Sequence, residues 1–290
     1  MRHLSIALFA VLLSACATSP PAPPTPVAVP KPPIKVAIAL GGGAARGFAH
    51  VGVIKALEAQ GIVPDIVVGT SAGSVVGALY ASGLSGFELQ QVALGMEEDM
   101  LSDWTLPNRG VLRGEALQAF INQRVKQRTM QRLPKPLGVV ATDLQSGDKV
   151  LFRTGDTGMA VRASSAVPGV FQPVEISGRD YVDGGLTSPV PVQSARAMGA
   201  DFVIAVDISN VNRREKLAGT VDVLLQTFAI MGHTLSSHEL KDADVVIRPK
   251  TAVLSTMDFE SRHLAILEGE KAAAAIMPEL KAKLARARAR

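Results

Sequence analysis

Cysteine is almost absent from this chain: among 290 residues only Cys16 carries a thiol. Intramolecular disulfides are therefore impossible, and the body of the chain has no thiolate metal site. Charge of one sign is scarce as well, since 30 basic and 26 acidic side chains leave a net +4. The basic residues are dispersed except at the extreme C-terminus, which gives no case for a nucleic-acid partner. No internal repeat is visible. Nucleotide loops are missing too: no Gly-Lys-Ser/Thr occurs, and a G-x-G-x-x-G frame over the glycine run from Gly41 needs glycine at position 46 or 44. Those positions hold Arg46 and Ala44. What remains is 47% hydrophobic with 26 glycines and 18 prolines, a composition that suits one large α/β domain.

The first sixteen residues read as a targeting segment. Arg2 and His3 precede an apolar run, Leu4 to Leu13, that is too short to span a bilayer. Leu13-Ser14-Ala15-Cys16 resembles the lipobox of bacterial lipoproteins, which implies removal of residues 1–15 and lipid attachment to Cys16. Two or three acyl chains, at about 0.8 kcal/mol per buried CH₂, anchor a protein stably. Ala17 next to the cysteine hints at outer-membrane sorting on the periplasmic side of a Gram-negative cell. A plain secretory signal with a chance cysteine is the alternative. Residues 16–34 are rich in proline and read as an extended polyproline linker with a reach of up to roughly 50 Å.

The folded domain is expected over 35–290. Val36 to Leu40 is a continuous apolar run, as in a strand covered on both faces. A glycine loop from Gly41 to Gly47 follows, then a helix through Ala59 stopped by Gly61, then a strand from Pro64 to Val68. Such a βαβ unit places the two strands parallel and adjacent, so that the glycine loop and the turn after Val68 share one sheet edge. Further helices and strands alternate to Ile247. Residues from Ser261 onward read as one helix, or two broken at Pro278, in a helical extension from about residue 251. The expected fold is α/β, with a mainly parallel central sheet and helices on both faces.

The turn after Val68 is Gly69-Thr70-Ser71-Ala72-Gly73, a G-x-S-x-G between a strand and a helix. Such a turn leaves no room for side chains beside an exposed hydroxyl, hence the flanking glycines. The serine also meets a helix N-terminus, which favours developing negative charge. An ordinary strand-to-helix turn is the bland reading. Acyl transfer needs a base and oxyanion donors as well. The N–H groups of Gly42, Gly43 and Ala44 are candidate donors, with Arg46 reinforcing the loop or its charge. For the base the residues leave alternatives open. Asp183 precedes Gly184 and Gly185, yet an aspartate beside glycines is commonly a turn residue. Asp143 and Asp207 also follow strands, and His233, His238 or His263 would complete a Ser-His-Asp order. His50 reads as structural, packing the first helix near the glycine loop.

Four segments taken together, Gly41 to Val53, Gly69 to Gly73, Ala163 to Pro173 and Asp183-Gly184-Gly185, resemble the patatin-like phospholipase family, in its bacterial branch related to neuropathy target esterase. The resemblance runs from about Val36 to about Asp207. It implies a Ser71–Asp183 dyad acting without histidine, a glycine-loop oxyanion hole, no cofactor or metal, and phospholipid or lysophospholipid esters as substrates. Ala44 departs from the plant members, which have glycine there. A catalytically silent lipoprotein that binds lipid or protein is the competing class. Softer expectations are a lid or packed loop over 97–112, a segment Ala163 to Pro173 that either packs beside the nucleophile with Val170 and Phe171 lining an acyl pocket or simply belongs to the core, and a cationic C-terminus that favours either its helix end or anionic headgroups.

Overall fold

β1 (Val36–Leu40) runs up the middle of the molecule with all five residues buried. In the computed structural model, which describes residues 33–96, 112–209, 219–251 and 261–289, the chain then forms a short 3-10 turn over Ala44–Gly47 and α1 (Phe48–Glu58). Next come β2 (Ile66–Thr70), α2 (Ala72–Ala81), α3 (Gly86–Leu94) and α4 (Glu115–Arg124). After them stand β3 (Leu137–Asp143), β4 (Lys149–Phe152), α5 (Thr157–Ser164), β5 (Val174–Ile176) and β6 (Arg179–Asp183). The chain continues through α6 (Val192–Ala197), β7 (Phe202–Val206), α7 (Thr220–Glu239), β8 (Val245–Ile247) and α8 (Arg262–Ala289). The expected signal segment, the linker up to residue 32 and residues 97–111 of the expected lid lie outside the described residues.

The strands form one eight-stranded sheet in the order β5-β6-β3-β2-β1-β7-β8, with β4 also on β3. β3, β2, β1, β7 and β8 are mutually parallel, and β4, β5 and β6 pair antiparallel. The apolar runs explain the layering, because alternate residues go to opposite faces. Val36, Ile38, Leu40, Val67, Val139, Phe202 and Ile204 join the core under α1, α2, α4 and α8. Ala37, Ala39, Ile66, Val68, Val140, Val203 and Ala205 join the core under α6 and Leu240. Helices therefore cover both faces, as the uninterrupted apolar strands require.

One boundary differs from the sequence reading, and one open alternative is decided. β2 continues through Gly69 to Thr70, because both residues pair with β3. The C-terminal segment is one helix of 28 residues with Pro278 inside it, and no break. Its Ile266, Ala273, Leu280 and Leu284 are buried in the main core, so α8 is part of the domain's packing and no mere appendage.

The sheet carries one feature that decides the site. β3 pairs β4 through Val139–Thr142, so β4 takes one of its sides. The other side is shared: β2 pairs up to Thr70↔Val140, and β6 pairs from Ala141↔Asp183 onward. β2 is parallel to β3 and β6 antiparallel, so both approach the same point and meet end to end. Their last residues, Thr70 and Asp183, occupy adjacent register positions along β3.

Candidate active site

Ser71 sits between β2 and α2 with φ 52° and ψ −125°. A positive φ is uncommon for a residue with a side chain and costs of order 1–3 kcal/mol unless its surroundings hold it. Here the holding groups are identifiable. Ser71 N–H donates to Ser164 Oγ at 2.8 Å, and Ser164 Oγ–H donates to the Val140 carbonyl at 2.5 Å. Ser74 Oγ–H bonds back to the Ser71 carbonyl at 2.7 Å. The two flanking glycines are sterically required. A Cβ on Gly69 would stand 2.3 Å from the Gly73 carbonyl oxygen, and one on Gly73 would stand 2.1 Å from the Leu40 carbonyl oxygen.

Asp183 ends β6 and is buried. Its N–H donates to the Ala166 carbonyl at 3.0 Å, its carbonyl accepts from Thr142 Oγ1, and its Oδ1 accepts from Gly185 N–H at 2.7 Å. Gly184 lets the chain turn against β2 and β3: a Cβ there would meet the Val140 carbonyl oxygen at 2.2 Å and Thr70 Cγ2 at 3.1 Å. Burial pushes the Asp183 carboxyl up to about 6, with the Ser71 hydroxyl and the Gly185 amide pulling the other way. Ser71 and Asp183 therefore face each other. Asp183 Oδ2 is buried without a hydrogen bond of ordinary geometry among the described residues, so the pair is adjacent but not closed. Long contacts of this kind are common before substrate binds.

The glycine loop lies alongside. A Cβ on Gly42 would stand 3.2 Å from Ser71 Cβ. The Gly42 amide, one of the expected oxyanion donors, is occupied: it donates to the Pro189 carbonyl at 2.9 Å. That removes it from the donor set and gives it a structural role. The amides of Gly43 and Ala44 have no hydrogen-bond partner among the described residues. Ala44 has φ 50°, the left-handed turn that glycine adopts without cost, and its side chain is exposed. The loop thus keeps its turn despite the alanine. Arg46 is buried, and both its Nε–H and its N–H donate to the Gly43 carbonyl, at 3.3 and 3.2 Å. It braces the loop from behind.

His50 is fully buried, with Nε2 2.7 Å from the Gly41 carbonyl oxygen. A carbonyl can only accept, so Nε2 carries the proton. Burial pushes its pKa down to about 4, against the opposing effects of the Gly41 bond and of Asp207, and the ring is neutral at pH 7. It fastens the start of the glycine loop to α1. The other candidates are elsewhere. His233, His238 and His263 are exposed on α7 and α8, and none bonds to Ser71 or Asp183 among the described residues. Asp143 bonds the Gln145 and Ser146 amides, which closes the β3–β4 turn, and Arg179 of β6; the Arg179 bond leads in holding its carboxyl below the usual range. Asp207 accepts from Ser209 and Arg248 at the end of β7.

Within residues 163–173, Ser164 reaches the Ser71 amide, a bond not foreseeable from small size alone. A serine in a helix pattern gives no sign of its tertiary partner. Phe171 pairs with Leu112, the one described residue of the expected lid. Among the described residues no helix is long and apolar enough to cross a membrane.

Known proteins resemble this chain in sequence and in fold. A family model described as "Patatin-like phospholipase" matches residues 38–196. An NTE family protein of Mycobacterium tuberculosis is 39% identical over 177 residues, covering 60% of this chain and 49% of the relative. The human "Patatin-like phospholipase domain-containing protein 6" is 36% identical over 183 residues, covering 60% of this chain and 13% of that protein. The chain thus spans about half the length of the first of these relatives, 49%, and far less of the second. Among solved structures, VipD from Legionella pneumophila superposes with a TM-score of 0.59 at 16% identity, over 86% of this chain and 67% of that one, a likeness of fold. With its family model spanning residues 38–196, from β1 into α6, this chain belongs to the patatin-like phospholipase family.

Proposed function

We propose that the chain is a serine acyl hydrolase of lipid esters, a phospholipase A or lysophospholipase, in which Ser71 is the nucleophile and Asp183 the base. The observation that carries this reading is the end-to-end meeting of β2 and β6, which sets the two side chains face to face at the C-terminal edge of the parallel strands. Ser71 Oγ attacks the ester carbonyl while its proton passes to Asp183. The C=O electron pair moves onto oxygen, and the Gly43 and Ala44 amides are the donors available to that oxyanion. Collapse of the intermediate breaks the ester C–O bond, and Asp183 returns the proton to the departing alcohol. Water, deprotonated by Asp183, then attacks the acyl-serine and releases the fatty acid, leaving both side chains as they began. An ordinary carboxylate is a poor base for a hydroxyl. Burial that lifts Asp183 to about 6 brings it toward the working pH while leaving it ionised at neutrality.

The test is release of fatty acid from phosphatidylcholine and lysophosphatidylcholine micelles across a pH series. The free enzyme must carry Asp183 ionised, so kcat/KM should fall below about pH 6 with unit slope, reaching about a tenth of its plateau at pH 5. His50, at about 4, adds nothing in that window. A rate independent of pH from 8 down to 4.5, or no release from either lipid, rejects the dyad as drawn.

We also propose that the chain is held at the periplasmic side of a Gram-negative outer membrane by acyl groups on Cys16, with residues 16–34 as a spacer. The lipobox-like run and the lone cysteine support this. Mass spectrometry of the mature N-terminus should find Cys16 as residue one carrying acyl mass; an unmodified Cys16 or a cut elsewhere removes the anchor.

A further inference from the structure

The three motifs of the site are tied to a segment that none of them contains. Ser188, Pro189 and Val190 form an irregular, wholly buried stretch between the Asp183 turn and α6. Such a stretch must find partners for its backbone without a ladder or helix to supply them. Its partners are the site itself. Thr70, the residue before the nucleophile, donates Oγ1–H to the Ser188 carbonyl at 2.8 Å. Gly42 of the glycine loop donates N–H to the Pro189 carbonyl at 2.9 Å, and Ser188 donates N–H to the carbonyl of Gly184, next to Asp183, at 2.8 Å. A displacement of this segment would move the nucleophile, the oxyanion loop and the base turn together.

One charged side chain holds it from outside. Glu239, the last residue of α7, is 8% exposed. Its Oε1 accepts the Ser188 hydroxyl at 2.5 Å and its Oε2 accepts the Val190 N–H at 3.2 Å. Two donors converge on it, and a carboxylate, which only accepts, matches both. Burial raises its pKa; the Ser188 hydroxyl, the Val190 amide and Lys149 on β4 oppose that rise, and Asp242 adds to it. A buried carboxylate is costly to keep unless such donors meet it. The helix also rests on this segment at Gly232, where a Cβ would be 3.9 Å from Pro189 Cβ.

We infer that Glu239 is a positioning residue for the hydrolysis: it fixes the Ser188–Val190 segment through which Thr70, Gly42 and Gly184 are held in mutual register. The inference rests on the Ser71–Asp183 reading and adds to it a residue outside the stretch 38–196 matched by the family model. Glu239 bonds Ser188 and Val190 and, among the described residues, not Ser71, so its effect should fall on the rate of the chemical step and leave substrate binding alone.

The experiment measures kcat and KM of the full chain on p-nitrophenyl butyrate for wild type, Glu239→Ala, Glu239→Gln, Ser188→Ala and Ser71→Ala, with thermal melts of each. Misplacement of reacting groups by about 1 Å costs about 100-fold, so Glu239→Ala should lose about 30- to 100-fold in kcat with KM changed less than about threefold. Glu239→Gln still accepts from Val190 and can donate to Ser188 Oγ once that hydroxyl rotates, so it should keep kcat within about fivefold of wild type. Equal losses in the Ala and Gln variants, or a wild-type kcat in Glu239→Ala, overturn the inference. If Glu239→Ala does not fold, Ser188→Ala decides: about a tenfold fall in kcat at unchanged KM supports the inference, and a change under about twofold sinks it. An inactive Ser71→Ala beside an unimpaired Glu239→Ala defeats this inference alone, whereas an active Ser71→Ala defeats the dyad beneath it.

Discussion

Ser71→Ala is expected to lose at least about 10⁴-fold in kcat on lipid and nitrophenyl esters, because residues that act as one unit cost nearly the whole chemical advantage when either is removed. Asp183→Asn should lose about 10³- to 10⁴-fold, since an amide keeps the hydrogen bond from Gly185 but cannot take the serine proton. The two losses should not add: the double variant should be no slower than Ser71→Ala. Substrate affinity should survive in both, so KM measured on residual turnover, or binding of a non-hydrolysable ether lipid, should change little.

The Asp183 variant carries a second, opposite expectation. Its folded-state pKa, about 6, lies above the ordinary aspartate value of 3.8. Asp183 therefore contributes stability that is fully present below about pH 3.8 and lost as pH rises through about 6, so at neutral pH the buried, ionised group is a burden on the fold. About two units correspond to roughly 3 kcal/mol at most, and Asp183→Asn should recover about 1–3 kcal/mol at pH 8, a rise of roughly 3–10 °C in Tm for a domain of this size. A variant that is inactive yet more stable is the mark of a group kept for chemistry. A less stable Asp183→Asn would assign the carboxylate to the fold. His50 has the reverse sign: its stabilising contribution is present above about 6.5 and lost as pH falls through about 4. Melts of wild type and Asp183→Asn compared at pH 8 and pH 5 separate the two groups.

The second large effect lies away from the site. Gly52→Ala is expected to destabilise the protein by at least about 3 kcal/mol, near the upper range for overpacking. In an open helix interior the same change would stabilise by up to about 1 kcal/mol, so the sign alone is diagnostic. The reason is the crossing of α1 and α8. A Cβ on Gly52 would stand 1.9 Å from the Ile266 carbonyl oxygen, and a Cβ on Gly269 would stand 2.0 Å from the Ala49 carbonyl oxygen. Backbone meets backbone there, and backbone cannot rotate away as a side chain does. Forcing the helices apart would loosen Ile266, Ala273 and Leu280 from the core and shift the helix that carries His50. Thermal melting should show Tm lowered by roughly 6–12 °C, with Gly269→Ala moving the same way. A Gly52→Ala protein of unchanged or raised Tm would show that the two helices do not approach so closely.

Much of the architecture was legible because it is local. The apolar run Val36 to Leu40 declares a strand covered on both faces, and all five of its residues are buried with β2 and β7 on its two sides. A Ser-Gly pair between two short strand-like runs is turn chemistry, and Ser177 and Gly178, which join β5 to β6, both adopt positive φ. Gly69 and Gly73 announced a crowded turn around an exposed hydroxyl, and their surroundings are as crowded as that reading required. The choice among aspartates was not legible from the chain itself. Asp143 and Asp183 end strands and Asp207 directly follows one, and only the family resemblance favoured Asp183. The availability of Gly42 was misread for a related reason. Three glycines in a row advertise free amides, but nothing near them in sequence reveals that Pro189 accepts one.

By itself, then, the order of residues determined the elements, their two-faced burial, the βαβ start and the strained serine turn, because each follows from periodicity, turn chemistry or steric room within a few neighbouring residues. Only the tertiary structure decided which acid faces Ser71, which amides stay free, and that Ser164 and Glu239 brace the site. Those outcomes depend on β6 meeting β2 along one side of β3, on α5 ending beside the nucleophile, and on α7 reaching Ser188. Each is a contact between segments tens of residues apart, and such contacts form where hydrogen-bond pairing and packing of the whole sheet allow them.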